Sequence, residues 1–179
     1  APALEWRDGV PVSTAFDDVY FSRAGGIAET EHVFLRGNGL PARWQDANSG
    51  AGDYPCVAEG EPRSGGSARA KGSRQHLFFI AELGFGTGLN FLLTMQRFRQ
   101  TAQASQRLHY IAIEKFPFTP AQLTALLAAH PELANEATEL LAAYPLRLPG
   151  FHRLHFPRVT LTRCFGDVVE LLSQFTWLH

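Results

Sequence analysis

The sequence predicts an α/β fold in which parallel β-strands alternate with α-helices on both faces of one sheet. Three short apolar segments have the composition of buried strands, at residues 77–82, 109–114 and 159–162. Each is followed by a segment with the apolar spacing of a helix, at residues 89–98, 119–130 and 166–172. Strand–helix units in succession are typical of a parallel sheet whose strands are buried by the helices between them.

The first predicted strand runs directly into a loop with three alternate glycines. The strand begins at Leu77 and ends at Glu82, and Gly84, Gly86 and Gly88 follow. Glycine adopts positive φ, and because it has no Cβ a ligand can approach the main chain closely. Ligands of open α/β sheets bind at the carboxyl ends of the strands, so this segment predicts a nucleotide-type cofactor site. The alternative is a tight turn that serves only strand–helix packing.

The spacing of these glycines distinguishes between kinds of cofactor loop. A P-loop has Lys and Ser or Thr after its last glycine, whereas Leu89 and Asn90 stand here. A dinucleotide fingerprint reads G-x-G-x-x-G, so the observed spacing disfavours a Rossmann oxidoreductase. The pattern E-x-G-x-G-x-G resembles motif I of the class I S-adenosylmethionine methyltransferases. S-adenosylmethionine has no phosphate but carries a sulfonium and an ammonium group, for which the carboxylate of Glu82 is a suitable partner.

Acidic residues also stand at the ends of the other two predicted strands. Glu114 ends the second strand, where an ionised carboxylate can accept hydrogen bonds from both ribose hydroxyls. Gly166 and Asp167 follow the third strand, where the aspartate can accept a hydrogen bond from an adenine amino group and the glycine admits the base edge. The alternatives are a strand-end surface glutamate and an ordinary helix N-cap aspartate.

The chain divides into three parts by composition. Residues 1–44 are rich in aromatic and turn residues and predict an extension that packs on the α/β domain; within it, residues 29–35 are compatible with a helical turn or a strand. Residues 45–76 are rich in Gly and Ser with few large apolar side chains, which predicts a flexible insertion. Residues 77–179 form the cofactor-binding domain. In this part Thr119 is a plausible N-cap, and residues 146–150 read as a turn.

Composition excludes several classes of protein. The 179 residues are 45% hydrophobic and 18% charged, which is globular, and the net charge of −1 gives no overall basic signal for nucleic acid. Cys56 and Cys164 have no metal-ligand spacing, so no metal site is predicted. No apolar run approaches the ~20 residues of a membrane span, and no secretory signal precedes the domain. We therefore expect a cytoplasmic protein without membrane association.

Several longer segments resemble one family of tRNA-modification enzymes. The matching segments are 16–22, 29–30, 33–35, 37–38, 40–43, 84–92, 114–117, 149–154 and 166–167. Together they resemble the methyltransferase domain of the bifunctional enzyme that completes 5-methylaminomethyl-2-thiouridine in tRNA, over nearly the whole chain apart from residues 45–76. The resemblance implies methyl transfer from S-adenosylmethionine to the primary amine of 5-aminomethyl(-2-thio)uridine at wobble position 34 of tRNA. The substrate amine would be the nucleophile and must be neutral to attack.

The resemblance also implies roles for individual residues. The cofactor-binding set comprises Glu82, Gly84, Phe85, Gly86, Gly88 and Asn90 around the methionine end, Glu114 and Lys115 at the ribose, and Gly166 and Asp167 at the adenine. Asp18, Tyr20 and Asn38 are candidates for the wall of the substrate pocket, and Tyr20 is suited to stack on a flipped base. The alternative for the N-terminal motif is a structural cap over the sheet.

One departure from the family pattern limits these implications. The family carries an aspartate motif at the end of its fourth strand, and this aspartate is the expected amine-binding or proton-accepting group; the present sequence ends at His179 before any such motif. We therefore expect a fragment that lacks the C-terminal strands of the sheet and does not catalyse by itself. FAD would be a second cofactor only if an oxidase domain follows. A small-molecule methyltransferase and a non-catalytic cofactor-binding module remain the alternatives, and the sequence leaves the oligomeric state open.

Overall fold

The computed structural model describes residues 4–7, 10–14, 18–19, 26–46 and 76–173. Residues 45, 46 and 76 are therefore the only part of the predicted insertion whose structure is described. Tyr20, a predicted pocket residue, lies outside the described residues.

The N-terminal part combines a small antiparallel sheet with short helices. Its elements are β1 (Leu4–Arg7), β2 (Val10–Ser13), β3 (Asp18–Val19), α1 (Gly26–Glu29), a π-helix (Thr30–Arg36) and α2 (Ala42–Gln45). The strands pair in the order β1-β2-β3. Residues 29–35, for which the sequence allowed either state, are therefore helical, because α1 continues without a break into the π-helix.

The main sheet has four strands in the order β4-β5-β7-β6. Their bounds are β4 (His76–Leu83), β5 (Gln106–Glu114), β6 (Gly150–Phe156) and β7 (Val159–Phe165). The strands predicted from the sequence, β4, β5 and β7, are mutually parallel, and β6 pairs with β7 in the antiparallel sense. The carboxyl ends of the three parallel strands therefore meet at one edge, which confirms the predicted α/β class.

The sequence analysis missed β6 because its pattern is weak. Alternate residues Phe151, Arg153 and His155 are exposed, and the residues between them are only half buried. Such a strand, with β7 as its sole partner among the described strands, lacks the continuous apolar run of a buried parallel strand. A tight turn, in which Arg158 has φ of 64°, returns the chain to β7.

In the α/β domain, the predicted helical segments 89–98, 119–130 and 166–172 each overlap a helix of the structure. The helical elements of this domain are α3 (Leu89–Thr101), α4 (Pro120–Leu127), a 3₁₀ turn (Pro131–Leu133), α5 (Ala134–Ala142) and α6 (Val168–Ser173). The predicted N-cap is confirmed: Thr119 accepts a hydrogen bond from the backbone N–H of Gln122, and the Gln122 side chain accepts one from the Thr119 backbone. This capping box and a proline in the first turn define where α4 begins.

The two faces of the main sheet are covered differently within the described residues. Leu108, Tyr110 and Leu161 belong to a large core with α3, α4 and α5. On the opposite face, Ile113 and Cys164 pack with Leu171 of α6 in a small second cluster. Consecutive residues of a strand therefore point to opposite faces of the sheet, as its pleat requires.

The N-terminal part shares the large core through Trp44 of α2. Its indole is 1% exposed and meets the rings of Phe78 and Phe98 edge-on, with centroids at 5.8 and 5.5 Å. Its indole N–H donates to Thr101 Oγ1 at 2.9 Å. Burial of an aromatic ring of this size is worth several kcal/mol, so α2 is anchored to the α/β domain.

None of the helices in the described ranges has both the length and the apolar character that crossing a membrane requires.

Candidate cofactor-binding site

The glycine loop between β4 and α3 has a backbone that depends on its glycines. Gly84, Gly86 and Gly88 have φ of 82°, 52° and 77°, values that other residues rarely adopt. A Cβ at Gly88 would also lie 2.6 Å from the ring of Phe85. A Cβ at Gly84 or Gly86 would meet nothing within 4 Å, so these two positions border open space. The loop thus presents bare main chain to a cleft, as the sequence predicts.

Glu82, the penultimate residue of β4 before the loop, is a buried carboxylate held by two neutral donors. It is 8% exposed. Asn90 Nδ2 donates to its Oε1 at 2.7 Å, and the Tyr110 hydroxyl donates to its Oε2 at 2.9 Å. Burial raises the pKa of Glu82 from 4.5 to about 7, with a smaller contribution from the charge of Glu114, against the lowering effect of the two hydrogen bonds. A cationic ligand group in the cleft would favour the ionised form.

Glu114 ends β5 and connects two loops at the edge of the sheet. Its Oε2 accepts from the backbone N–H of Gly86 at 2.9 Å, and its Oε1 accepts from that of Phe116 at 2.7 Å. Each carboxylate oxygen can accept a second hydrogen bond. The half-buried carboxylate is therefore oriented by the glycine loop and keeps acceptor capacity for ligand hydroxyls.

Asp167 and Lys115 form an ion pair between the ends of β7 and β5. The Lys115 Nζ and Asp167 Oδ2 atoms are 2.9 Å apart. Asp167 Oδ1 also accepts from the backbone N–H of Val169 at the start of α6. The Lys115 hydrogen bond, followed by the Val169 one, lowers the pKa of Asp167, which is thus ionised at neutral pH. Asp167 therefore makes the contact of an ordinary helix N-cap. It also places a negative charge at the edge of the sheet where the ligand is predicted to bind. The backbone N–H of Gly166 donates to Glu114 O at 3.1 Å, which ties the two strand ends together.

A cleft of about 290 Å³ lies between the glycine loop and the N-terminal helices. Its lining includes Glu82, Gly84, Phe85, Gly86 and Asn90 from the loop side and Gly26, Glu29, Thr30, Val33 and Phe34 from α1 and the π-helix. The volume is at the lower end of small-ligand sites. Glu114, Lys115 and Asp167 lie at the neighbouring strand ends rather than in this lining, so the predicted set follows the sheet edge away from the cleft.

Of the N-terminal candidates, Asn38 lies outside the described lining of this cleft. Asp18 lies in β3, where it pairs with Ser13 of β2. Asn38 is exposed and donates through Nδ2 to Phe34 O at 2.8 Å, which caps the π-helix. Asn38 also lines a smaller cleft of about 190 Å³ together with Arg43 and Phe79.

Three residues that the sequence analysis did not single out belong to the site or its support. Thr30 and Tyr110 join the hydrogen bonds around Glu82 and Asn90. Arg163 is 0% exposed, and its guanidinium stacks over the ring of Phe85 at 4.1 Å. Within the described residues its side-chain nitrogens have no hydrogen-bond acceptor, and burial lowers its pKa. The sequence did carry a signal for Arg163, because an arginine within an apolar strand requires compensating contacts.

The residues present fit an S-adenosylmethionine-type group. A buried carboxylate faces a cleft where a cation would fit, two glycines border open space, and a second carboxylate is oriented at the next strand end. No lysine lies in the described cleft lining to suit a phosphate instead. The donor set therefore matches a cationic, phosphate-free cofactor.

No protein-family model matches the chain. Over 96% of its length it is 46% identical to the tRNA 5-methylaminomethyl-2-thiouridine biosynthesis bifunctional protein MnmC of Chromobacterium violaceum, of which it covers 22%. The MnmC proteins of Methylobacillus flagellatus and Legionella pneumophila strain Philadelphia 1 are 44% and 38% identical over 97% and 96% of the chain, which covers 23% and 22% of them. The chain thus spans less than a quarter of the length of these curated relatives.

A solved structure, MNMC2 from Aquifex aeolicus, superposes on the chain with a TM-score of 0.59 at 16% sequence identity. The superposition covers 97% of this chain and 45% of the Aquifex aeolicus chain. At that identity the likeness shows the fold alone, and it agrees with the α/β architecture. The identities of 38–46% along nearly the entire chain show that it is similar to one segment of these longer MnmC proteins.

Proposed function

We propose that the chain binds S-adenosylmethionine and directs its methyl group to the primary amine of 5-aminomethyl(-2-thio)uridine at the wobble position of tRNA. The observation that carries the proposal is the buried Glu82 carboxylate in the cleft beside Gly84 and Gly86. The tRNA acceptor is supported by the name of the MnmC relatives, which places them in the biosynthesis of 5-methylaminomethyl-2-thiouridine in tRNA. We place this activity in the cytoplasm, where tRNA is modified.

The described residues would hold the methyl donor at three points along the sheet edge. Glu82 would accept hydrogen bonds from the ammonium group, and the main chain of the glycine loop would border the methionine portion. Glu114 would accept from the ribose hydroxyls, with Lys115 beside it, and Asp167 would accept from the adenine amino group. S-adenosylmethionine, once bound, would supply an electrophilic methyl group to the neutral acceptor amine and leave as S-adenosylhomocysteine, while the amine gives up a proton.

Donor binding is expected to release protons at neutral pH. Because the pKa of Glu82 is about 7 in the empty cleft, a sizeable fraction of the protein carries a proton there. A ligand ammonium beside the carboxylate lowers that pKa, so the proton leaves as the ligand binds. The proposed acceptor also must lose a proton, so both steps favour pH above neutrality.

Thermal denaturation tests the cofactor assignment. S-adenosylhomocysteine at 100 times its dissociation constant should stabilise the chain by about 2.7 kcal/mol, whereas NAD should not. Equal shifts with both ligands, or none with either, would reject the assignment.

A second experiment tests the acceptor. The chain, and in parallel a longer protein that contains it, is incubated with S-adenosylmethionine and tRNA that carries 5-aminomethyl-2-thiouridine, and the wobble nucleoside is analysed by mass spectrometry. A gain of one methyl group is expected with the longer protein. Donor binding without any methylation in either protein would instead support a non-catalytic binding module.

A further inference from the structure

A continuous line of hydrogen bonds joins the N-terminal helices to the centre of the sheet. Thr30 Oγ1 donates to Asn90 Oδ1 at 3.1 Å, and Asn90 Nδ2 donates to Glu82 Oε1 at 2.7 Å. The Tyr110 hydroxyl reaches the other carboxylate oxygen from the neighbouring strand at 2.9 Å. Because Thr30 satisfies the amide oxygen, the amide nitrogen of Asn90 is directed at Glu82.

Tyr110 has little freedom to move away from this contact. It is fully buried in β5, opposite Ile80 of β4 in the parallel register. The ring of Phe91 meets it edge-on with centroids 5.2 Å apart, and Phe34 of the π-helix lies on it with centroids 6.3 Å apart. A ring held by packing on two sides keeps its hydroxyl at a fixed point, which is how a supporting residue pre-organises a binding group.

We infer that Tyr110 directly, and Thr30 through Asn90, are positioning residues that hold the Glu82 carboxylate toward the cleft and so set the affinity of the methyl-donor site. The inference rests on the proposed donor site but not on the identity of the acceptor. It assigns a binding purpose to the N-terminal helices, which line the cleft and also orient the carboxylate behind it. Both residues are assigned to orient Glu82 and Asn90, so we class them as positioning residues rather than catalytic ones.

The electrostatic surroundings of Glu82 show what the two donors do. The groups that face it are Tyr110 from β5, Glu114 from the end of the same strand, and Glu29 of α1, which lines the cleft. Burial and the charge of Glu114 raise the pKa of Glu82, and the bonds from Asn90 and Tyr110 lower it. Loss of the phenol hydroxyl would therefore leave more of the carboxyl protonated at neutral pH and less able to hold a cation.

The test is Tyr110→Phe, which keeps the ring and its packing. We expect S-adenosylhomocysteine, titrated calorimetrically at pH 7, to bind this variant about tenfold more weakly, as for the loss of one hydrogen bond to a charged group. The pH at which binding reaches half its maximum should rise by roughly half a unit or more. Thr30→Val should change both quantities in the same direction but less, because it acts through Asn90.

A matched control is Tyr144→Phe, which removes a phenol hydroxyl that donates to Phe118 O at 2.9 Å outside this line of bonds. It should leave the half-maximal pH where it is in the wild type. A ligand-free measurement, the ¹³C NMR titration of the Glu82 side-chain carboxyl, should show a higher midpoint in Tyr110→Phe than in the wild type. If affinity and carboxyl midpoint are both unchanged in Tyr110→Phe, the inference is overturned. If the wild type binds no S-adenosylhomocysteine at any pH, the donor site itself is wrong, whatever the carboxyl titration shows.

Discussion

Replacing Glu82 by Gln should stabilise the fold at alkaline pH while it weakens donor binding. In the folded chain Glu82 is buried, and burial is the main cause of a pKa of about 7 against an ordinary value of 4.5. Between these two values the folded state binds more protons than the unfolded state, so the free energy of unfolding falls as pH rises. A neutral glutamine takes no part in this loss.

The size of the effect follows from the change in pKa. A rise from 4.5 to about 7 corresponds to about 3 kcal/mol of stability, which is fully present below the unfolded-state pKa and is lost as pH rises through the folded-state pKa. The hydrogen bonds can be retained in the variant. The Gln amide oxygen can accept from Tyr110, and the Asn90 amide can flip so that its nitrogen faces Thr30 and its oxygen accepts from the Gln amide. Any change in packing adds a constant offset that does not depend on pH.

The assay is urea denaturation of the wild type and Glu82→Gln at several pH values from 4 to 9. The difference in the free energy of unfolding should increase in favour of the variant by about 3 kcal/mol across the window from pH 4.5 to about 7 and then level off. Titration with S-adenosylhomocysteine at pH 8 should show that the more stable variant binds less tightly. A difference that stays constant within about 0.5 kcal/mol from pH 4 to 9 would refute the burial argument, since additive error is of that size.

Three further substitutions test the loop, the core and the ion pair. Gly88→Ala should lower the free energy of unfolding by about 1–3 kcal/mol because of its positive φ and the contact with the Phe85 ring, and an unchanged urea midpoint would contradict that backbone. Trp44→Phe should cost about 2 kcal/mol from lost packing and the lost hydrogen bond to Thr101, measured by urea denaturation; a neutral result would mean that α2 is not anchored to the core. Lys115→Met should leave the urea midpoint unchanged, because exposed ion pairs contribute little, and a large fall would show a structural role instead.

The features that the sequence predicted well are those encoded by neighbouring residues. The glycine loop, the N-cap at Thr119 and the buried strands β4 and β5 each depend on spacing within about ten residues, where turn chemistry and apolar runs act locally. The strand β6 was missed because its alternating exposure gives only a weak local pattern. The segment around Thr30, ambiguous in the sequence, is helical in the structure and lines the cleft.

The sequence by itself determined the class of the fold, the position of the cofactor loop and the acidic residues at the strand ends, because a strand, a glycine turn and a helix are dictated by consecutive side chains. Only the tertiary structure decided which partners surround Glu82. Thr30 bonds Asn90 across 60 positions of sequence, and Tyr110 bonds Glu82 across 28, through contacts that exist once β5 lies beside β4 and the π-helix packs over the loop. The same burial decided the charge of that carboxyl, because a pKa depends on the three-dimensional surroundings of a group and not on its neighbours in the chain.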